Sequence, residues 1–254
     1  VGLGVMGLHS YFQKKNIPFG SVMSKVWNKK VFKNIQEKVD AASKSLAEER
    51  GACPDAEEYG MKERFSNKTA IAPTASISII CGGSSPGIEP IAANSYTHKT
   101  LSGSFNVRNK YLKKILSKYK KDTDDVWSSI TTNQGSVSHL DFLTAEEKDT
   151  FKTAFEIDQR WIVELGADRT PHISQAQSIN IFIPADIHKK DLHNLHFQAW
   201  KKGLKSLYYC RSKSIQRAEN VNKGTSTDVT KNVYSQGQES NNESNNYEEC
   251  LSCQ

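Results

Sequence analysis

Between residues 24 and 50, apolar positions recur every three or four residues, at Trp27, Val31, Ile35, Val39, Ala42 and Leu46, which marks one face of a long helix. Gly51 and Pro54 stop it. A short apolar run from Thr69 to Ala72 leads into Pro73-Thr74-Ala75-Ser76, and Ile77-Ser78-Ile79-Ile80 then either opens a buried helix or continues as strand. Gly82 to Gly87 is a loop on its turn residues alone. Residues 94–108 carry β-formers on both sides of Ser102-Gly103 and predict a hairpin. Helices are expected over 109–119, 145–156 and 158–167, the second announced by Thr144 and Glu147 at capping-box spacing.

The clearest supersecondary unit follows. Ser178 to Pro184 reads as a strand, 187–202 as a helix ended by Gly203, and Leu204 to Tyr209 as a second strand. Strand, helix, strand in that order predicts a parallel pair with a right-handed crossover. No repeat with a period of 20–50 residues is present, so the expected class is α/β and helix-rich.

Composition changes this picture at one end. The 254 residues carry 34 Lys+Arg against 28 Asp+Glu, a net +6, but residues 218–254 hold only Lys223 and Lys231 against six acids. That leaves −4 on the last segment and +10 on residues 1–217. The segment is rich in Ser, Asn, Gln and Glu and has too little apolar surface to offset its ordering entropy, so two parts are expected: a folded body over 1–217 and a disordered tail over 218–254. A basic body favours anionic ligands, although lysines solvating helix faces produce the same excess. No run approaches the roughly 18 apolar residues of a membrane span. The chain shows no signal peptide and opens without Met on an amphipathic run, which reads as part of something longer.

The candidate chemistry is sparse. Five cysteines, an odd number, point to a reducing, cytoplasmic setting rather than a disulfide framework. Cys53, Cys81 and Cys210 are isolated, the pattern of small buried residues. Cys250-Leu251-Ser252-Cys253 is a thiol pair at the end of a polar tail, suited to disulfide exchange at a distant site; the alternatives are half a zinc site or no role. His188, His193 and His196 fall on the 187–202 helix with no carboxylate or cysteine joining them, so no metal site is expected. Ala72 to Ser78 places small and hydroxyl residues at a strand-to-helix turn, where free amides make either a phosphate cradle or an ordinary helix start. Tyr208 and Tyr209, as strand neighbours, should point one inward and one outward.

Taken in order, Gly51-Ala52-Cys53-Pro54, Ala72 to Ser78, Gly87-Ile88-Glu89-Pro90, Leu204 to Tyr209 and the terminal Cys250-Leu251-Ser252-Cys253 resemble the C-terminal part of the large subunit of class I ribonucleotide reductase. The resemblance implies the second half of a ten-stranded α/β barrel and the reduction of ribonucleoside diphosphates by radical chemistry. It implies that the backbone of Pro73, Thr74, Ala75, Ser76 and Ile77 holds the substrate phosphates. Tyr208 and Tyr209 would relay the radical, and Cys250 and Cys253 would re-reduce the active-site disulfide. The implied partners are a metal-containing small subunit that supplies the radical, an N-terminal part of the large subunit, and thioredoxin or glutaredoxin as reductant; no cofactor is expected on this chain. The thiyl-forming cysteine and the allosteric sites would precede residue 1. Ala75 departs from the acidic residue that many class I members carry there. Two other readings are a cobalamin-dependent reductase, which the adjacent tyrosines disfavour, and a basic nucleic-acid-binding protein with a redox-sensitive tail, which lacks interleaved aromatic and basic residues.

Overall fold

The computed structural model describes residues 1–100 and 103–212. Gly7, at φ 81°, turns the chain into α1 (Leu8–Lys14), a short helix outside the predicted set. Ser21 then caps the long helix α2 (Val22–Arg50), its Oγ accepting from Ser24 N at 3.1 Å, and Gly51 at φ 82° ends it. The buried line on α2 is Ser24, Asn28, Phe32, Ser43 and Ala47, one position round from the apolar stripe, whose Ala42 is exposed. Asn28 accounts for the rotation, since its side chain donates to Leu165 O at 2.9 Å and accepts from the buried Arg169 at 3.2 Å. After α3 (Pro54–Glu58), the isoleucine run becomes helix α4 (Ala75–Ile80), but it is not buried: Ile77, Ile79 and Ile80 are exposed.

The predicted hairpin forms as β1 (Ser95–Thr100) and β2 (Gly103–Arg108), antiparallel, with Ser95 opposite Arg108. Three helices follow: α5 (Lys110–Lys118), α6 (Asp124–Thr132) and α7 (Ala145–Thr150), of which α6 is outside the predicted set. The Thr144–Glu147 capping box is present, at 3.0 and 3.2 Å. The helix it opens is half the predicted length, because stronger partners claim the amides beyond it. Thr153 N donates to Glu156 Oε2 at 2.8 Å and Ala154 N to Ile91 O at 2.7 Å. The chain then runs through α8 (Arg160–Arg169), β3 (Ile181–Ile183), α9 (Lys189–Lys201) and β4 (Cys210–Ser212).

β3 and β4 are parallel, with Ile181 opposite Cys210. Parallel bridges Leu3–Thr69 and Ile71–Gln177 extend the same ladder, so four extended segments lie side by side in chain order with helices in the crossovers. The second strand of the predicted unit starts later than expected. Residues 204–207 are used differently: Leu204 N closes α9 onto Ala199 O, and Lys205 Nζ donates to the carbonyls of Ile173, Ser174 and Gln175. One core, including Phe12, Phe32, Ile71, Leu165 and Ile179, fills the space between this layer and its helices, and a smaller one joins β3, α8 and α9. A separate apolar core around Trp127 is built by α5, α6, the segment from Val137 to Leu143 and Phe151 at the end of α7. Among the described residues no helix is long and apolar enough to cross a membrane.

Candidate functional site

The loop after the second parallel segment is held in an unusual shape. Thr74 lies in the left-handed region at φ 54°, ψ 30°, where a β-branched residue is strained. Its Oγ1 accepts from Gly87 N at 2.7 Å, which fixes it there. Gly87 is itself at φ 46°, and a Cβ on it would stand 2.9 Å from Ala72 O, so only glycine lets the two turns approach. The first amide of α4 with a helical acceptor is Ser78 N, on Thr74 O at 2.9 Å; the amides of Ala75, Ser76 and Ile77 precede it, at a surface where Ser76 and Ile77 are exposed.

The tyrosines do not alternate. Their rings pack against each other at a tilt, with centroids 4.1 Å apart and planes at 52°, the hydroxyls are 3.4 Å apart, and both residues are equally open, at 41% and 42%. The backbone explains this. Tyr208 N donates to Ile179 O at 2.8 Å while Ile181 N donates to Tyr209 O at 2.9 Å, so two residues stand opposite the single Asn180. This is a β-bulge, and it cancels the inward–outward alternation for one step. The amide it leaves over, Tyr209 N, donates to Asn180 Oδ1 at 3.0 Å.

Behind the bulge lies a buried polar network that residue patterns did not single out. Asn180 N donates to Glu89 Oε1 at 3.2 Å, and the Asn180 side chain lies beside the same carboxylate. Burial pushes the Glu89 carboxyl above the usual carboxylate range, against the Asn180 hydrogen bonds and the charges of Arg211 and Arg169. Arg169 is fully enclosed. Burial lowers its guanidinium to about 9, opposed by Asp168 and Glu89, and it donates to Gln177 Oε1 at 2.6 Å. The signals in the sequence were slight: Glu89 stands in the Gly87-Ile88-Glu89-Pro90 landmark, and Asn180 is a polar residue between two isoleucines.

The other candidates do not converge. His188 Nδ1 caps α9, His193 stacks on Phe197, and His196 lies 2.8 Å from Leu192 O. Cys53 is half-buried and Cys81 exposed, while Cys210 Sγ lies 3.9 Å from His196 Nε2. Among the described residues no group of three or more His, Cys, Asp or Glu could hold a metal ion. Cys250 and Cys253, with the whole 218–254 segment, lie outside the described residues.

With the parallel layer, the constrained loop and the paired tyrosines in place, the family is shown by the sequence: the chain belongs to the family described as "Ribonucleotide reductase, barrel domain", whose profile covers residues 1–63 and 55–210. The α/β half-barrel implied by the resemblance is therefore its fold. Among its relatives, the ribonucleoside-diphosphate reductase large subunit of Invertebrate iridescent virus 6 is 47% identical over 225 residues, 87% of this chain and 23% of that protein. The large subunit of Caenorhabditis elegans is 31% identical over 249 residues, 86% of this chain and 31% of that protein. The Actinobacillus ureae class Id ribonucleotide reductase alpha subunit superposes with a TM-score of 0.78 at 41% identity, covering 84% of this chain and 39% of that one. The chain thus spans 23% to 39% of the length of these three proteins.

Proposed function

We propose that this chain is the C-terminal part of the catalytic barrel of a class I ribonucleoside-diphosphate reductase large subunit, an oxidoreductase that replaces the ribose 2′-hydroxyl with hydrogen. The observation that carries the reading is the tilted, closely packed Tyr208–Tyr209 pair, whose hydroxyls are 3.4 Å apart. At that distance an electron passes from ring to ring while a phenolic proton moves between the oxygens, so one tyrosyl radical is consumed as the other forms. A radical made by a metal-containing small subunit would reach the active-site cysteine by this step. That cysteine belongs to the N-terminal part of the large subunit, which this chain needs as a partner, and the chain itself holds no cofactor.

The backbone amides at Pro73-Thr74-Ala75-Ser76-Ile77 would receive the phosphates of a nucleoside diphosphate, supported by the left-handed Thr74 that aims the start of α4 outward. Residues 1–217 would act as barrel and 218–254 as a redox tail. Cys250 and Cys253 would reduce the disulfide formed at each turnover and be reduced in turn by thioredoxin or glutaredoxin. The cysteine count supports a cytoplasmic setting.

The test is Tyr208→Phe and Tyr209→Phe in the assembled reductase. Phenylalanine keeps the ring and its packing but has no phenolic proton, so each variant should abolish turnover and leave nucleotide affinity unchanged. Retention by either of more than about a tenth of the rate, less than about 1.4 kcal/mol of barrier, would return that tyrosine to a structural role.

A further inference from the structure

We propose that Glu89, acting through Asn180, is a positioning residue that builds the bulge on which Tyr208 and Tyr209 stack. Asn180 is one residue facing two, and its side chain closes the gap: Oδ1 accepts from Tyr209 N at 3.0 Å. With its oxygen used there, the amide turns its NH2 the other way, toward the side on which the Glu89 carboxylate lies. Glu89 accepts from Asn180 N at 3.2 Å, so the carboxylate also fixes the backbone of the residue that holds the bulge. Asn180 is 1% exposed and Glu89 6%, so solvent does not compete for either. Two guanidinium groups, of Arg169 and Arg211, lie close enough to act on the carboxylate.

The carboxylate is set from its own side too. Gly87, two residues before it, is pinned by Thr74 Oγ1 and accepts at its carbonyl from Leu8 N at 3.3 Å, and Ile88 is buried. Glu89 therefore enters the layer from a turn with little freedom. A glutamine in its place offers one acceptor instead of two and presents its own NH2 to that of Asn180. The Asn180 amide would then lose its single orientation, and Tyr209 N its partner. The stack would become one arrangement among several.

The effect on turnover rests on the relay reading above; the effect on ring position does not. The experiment uses the assembled reductase with 3-fluorotyrosine placed at position 209, read by 19F NMR, turnover and nucleotide affinity together. Glu89→Gln should shift or split the residue-209 resonance and lower turnover about tenfold or more, with nucleotide affinity within about twofold of the parent. Glu89→Asp, which keeps both acceptors, should recover part of each loss. Asn180→Ala removes the contact from the other side and should move the resonance in the same way, which covers the case of one variant failing to fold. An unmoved 209 resonance in Glu89→Gln overturns the proposal, whatever turnover does. A moved resonance with full turnover, in an enzyme where Tyr209→Phe is also active, upholds the positioning role and removes the relay.

Discussion

The parallel layer and the helical lobe of α5, α6 and α7 are folded by opposite means. The lobe has an oily interior: Leu112, Leu116, Trp127, Ile130, Leu140 and Phe151 are buried together, and the Trp127 indole finds Asp122 at 2.8 Å at its margin. The layer buries Asn28, Arg169, Gln177, Asn180, Glu89 and His9 among its apolar residues. Buried polar groups cost free energy unless each is partnered, and a partnered network permits fewer arrangements than an apolar core does. The lobe thus needs volume and pattern, which many sequences supply. The layer needs particular side chains in particular orientations, and the stacked tyrosines stand on it.

The sharpest way to break this contrast is Trp127→Ala. It should cost about 3–5 kcal/mol in urea unfolding followed by circular dichroism, while the signal of a fluorinated Tyr209 stays in place. Loss of the stack together with the lobe would show that the two interiors are one. Acid tests the polar interior of the layer next. Burial lowers His9 to about 3 from 6.5, opposed by its hydrogen bond to the Thr150 backbone. A neutral His9 in the folded state and a protonated one in the unfolded state mean that stability is complete above the unfolded value and is lost as pH falls below it. The slope is about 1.4 kcal/mol per pH unit, or roughly 2 kcal/mol at pH 5. His9→Gln should flatten the stability–pH curve between pH 6.5 and pH 4; an unchanged slope would mean that the imidazole is hydrated. The smallest effect belongs to Thr144→Ala, which removes the cap of α7 and should cost about 1 kcal/mol. Hydrogen exchange should register it in the lobe and not in the layer.

The same contrast governs what could be read from the sequence. The hairpin, the capping box and α5 were legible because each is set by neighbours a few residues away, at Ser95–Arg108, Thr144–Glu147 and Asn109. α2 was legible as a helix but not in its rotation, since the buried Asn28 answers to Arg169, 141 residues along the chain. The strand over 204–209 came out displaced because its hydrogen bonds are assigned by Ile179 and Asn180, not by its own alternation. Of the candidate site, the loop and the tyrosines were found by resemblance. Glu89 stood in the Gly87-Ile88-Glu89-Pro90 landmark, but neither it nor Asn180 was given a role, because a polar residue in an apolar run has no partner visible in one dimension.

The turn from Ser85 to Pro90 bears on where chain length can vary. Ser85 exchanges hydrogen bonds with Ser10 through both backbone amides, at 2.8 and 3.1 Å; Gly87 meets Thr74 and Glu89 meets Asn180. Alternate residues of this turn therefore grip three different parts of the molecule. Just ahead of it, Cys81, Gly82 and Gly83 are exposed, with both glycines at positive φ. An inserted residue at 82–83 can bulge into solvent, whereas one between Gly87 and Glu89 would move either the carboxylate or the loop out of reach of its partner. The single-residue gap between that glycine and that glutamate acts as a ruler, and the spacing it measures is the one between the loop at Thr74 and the tyrosine strand.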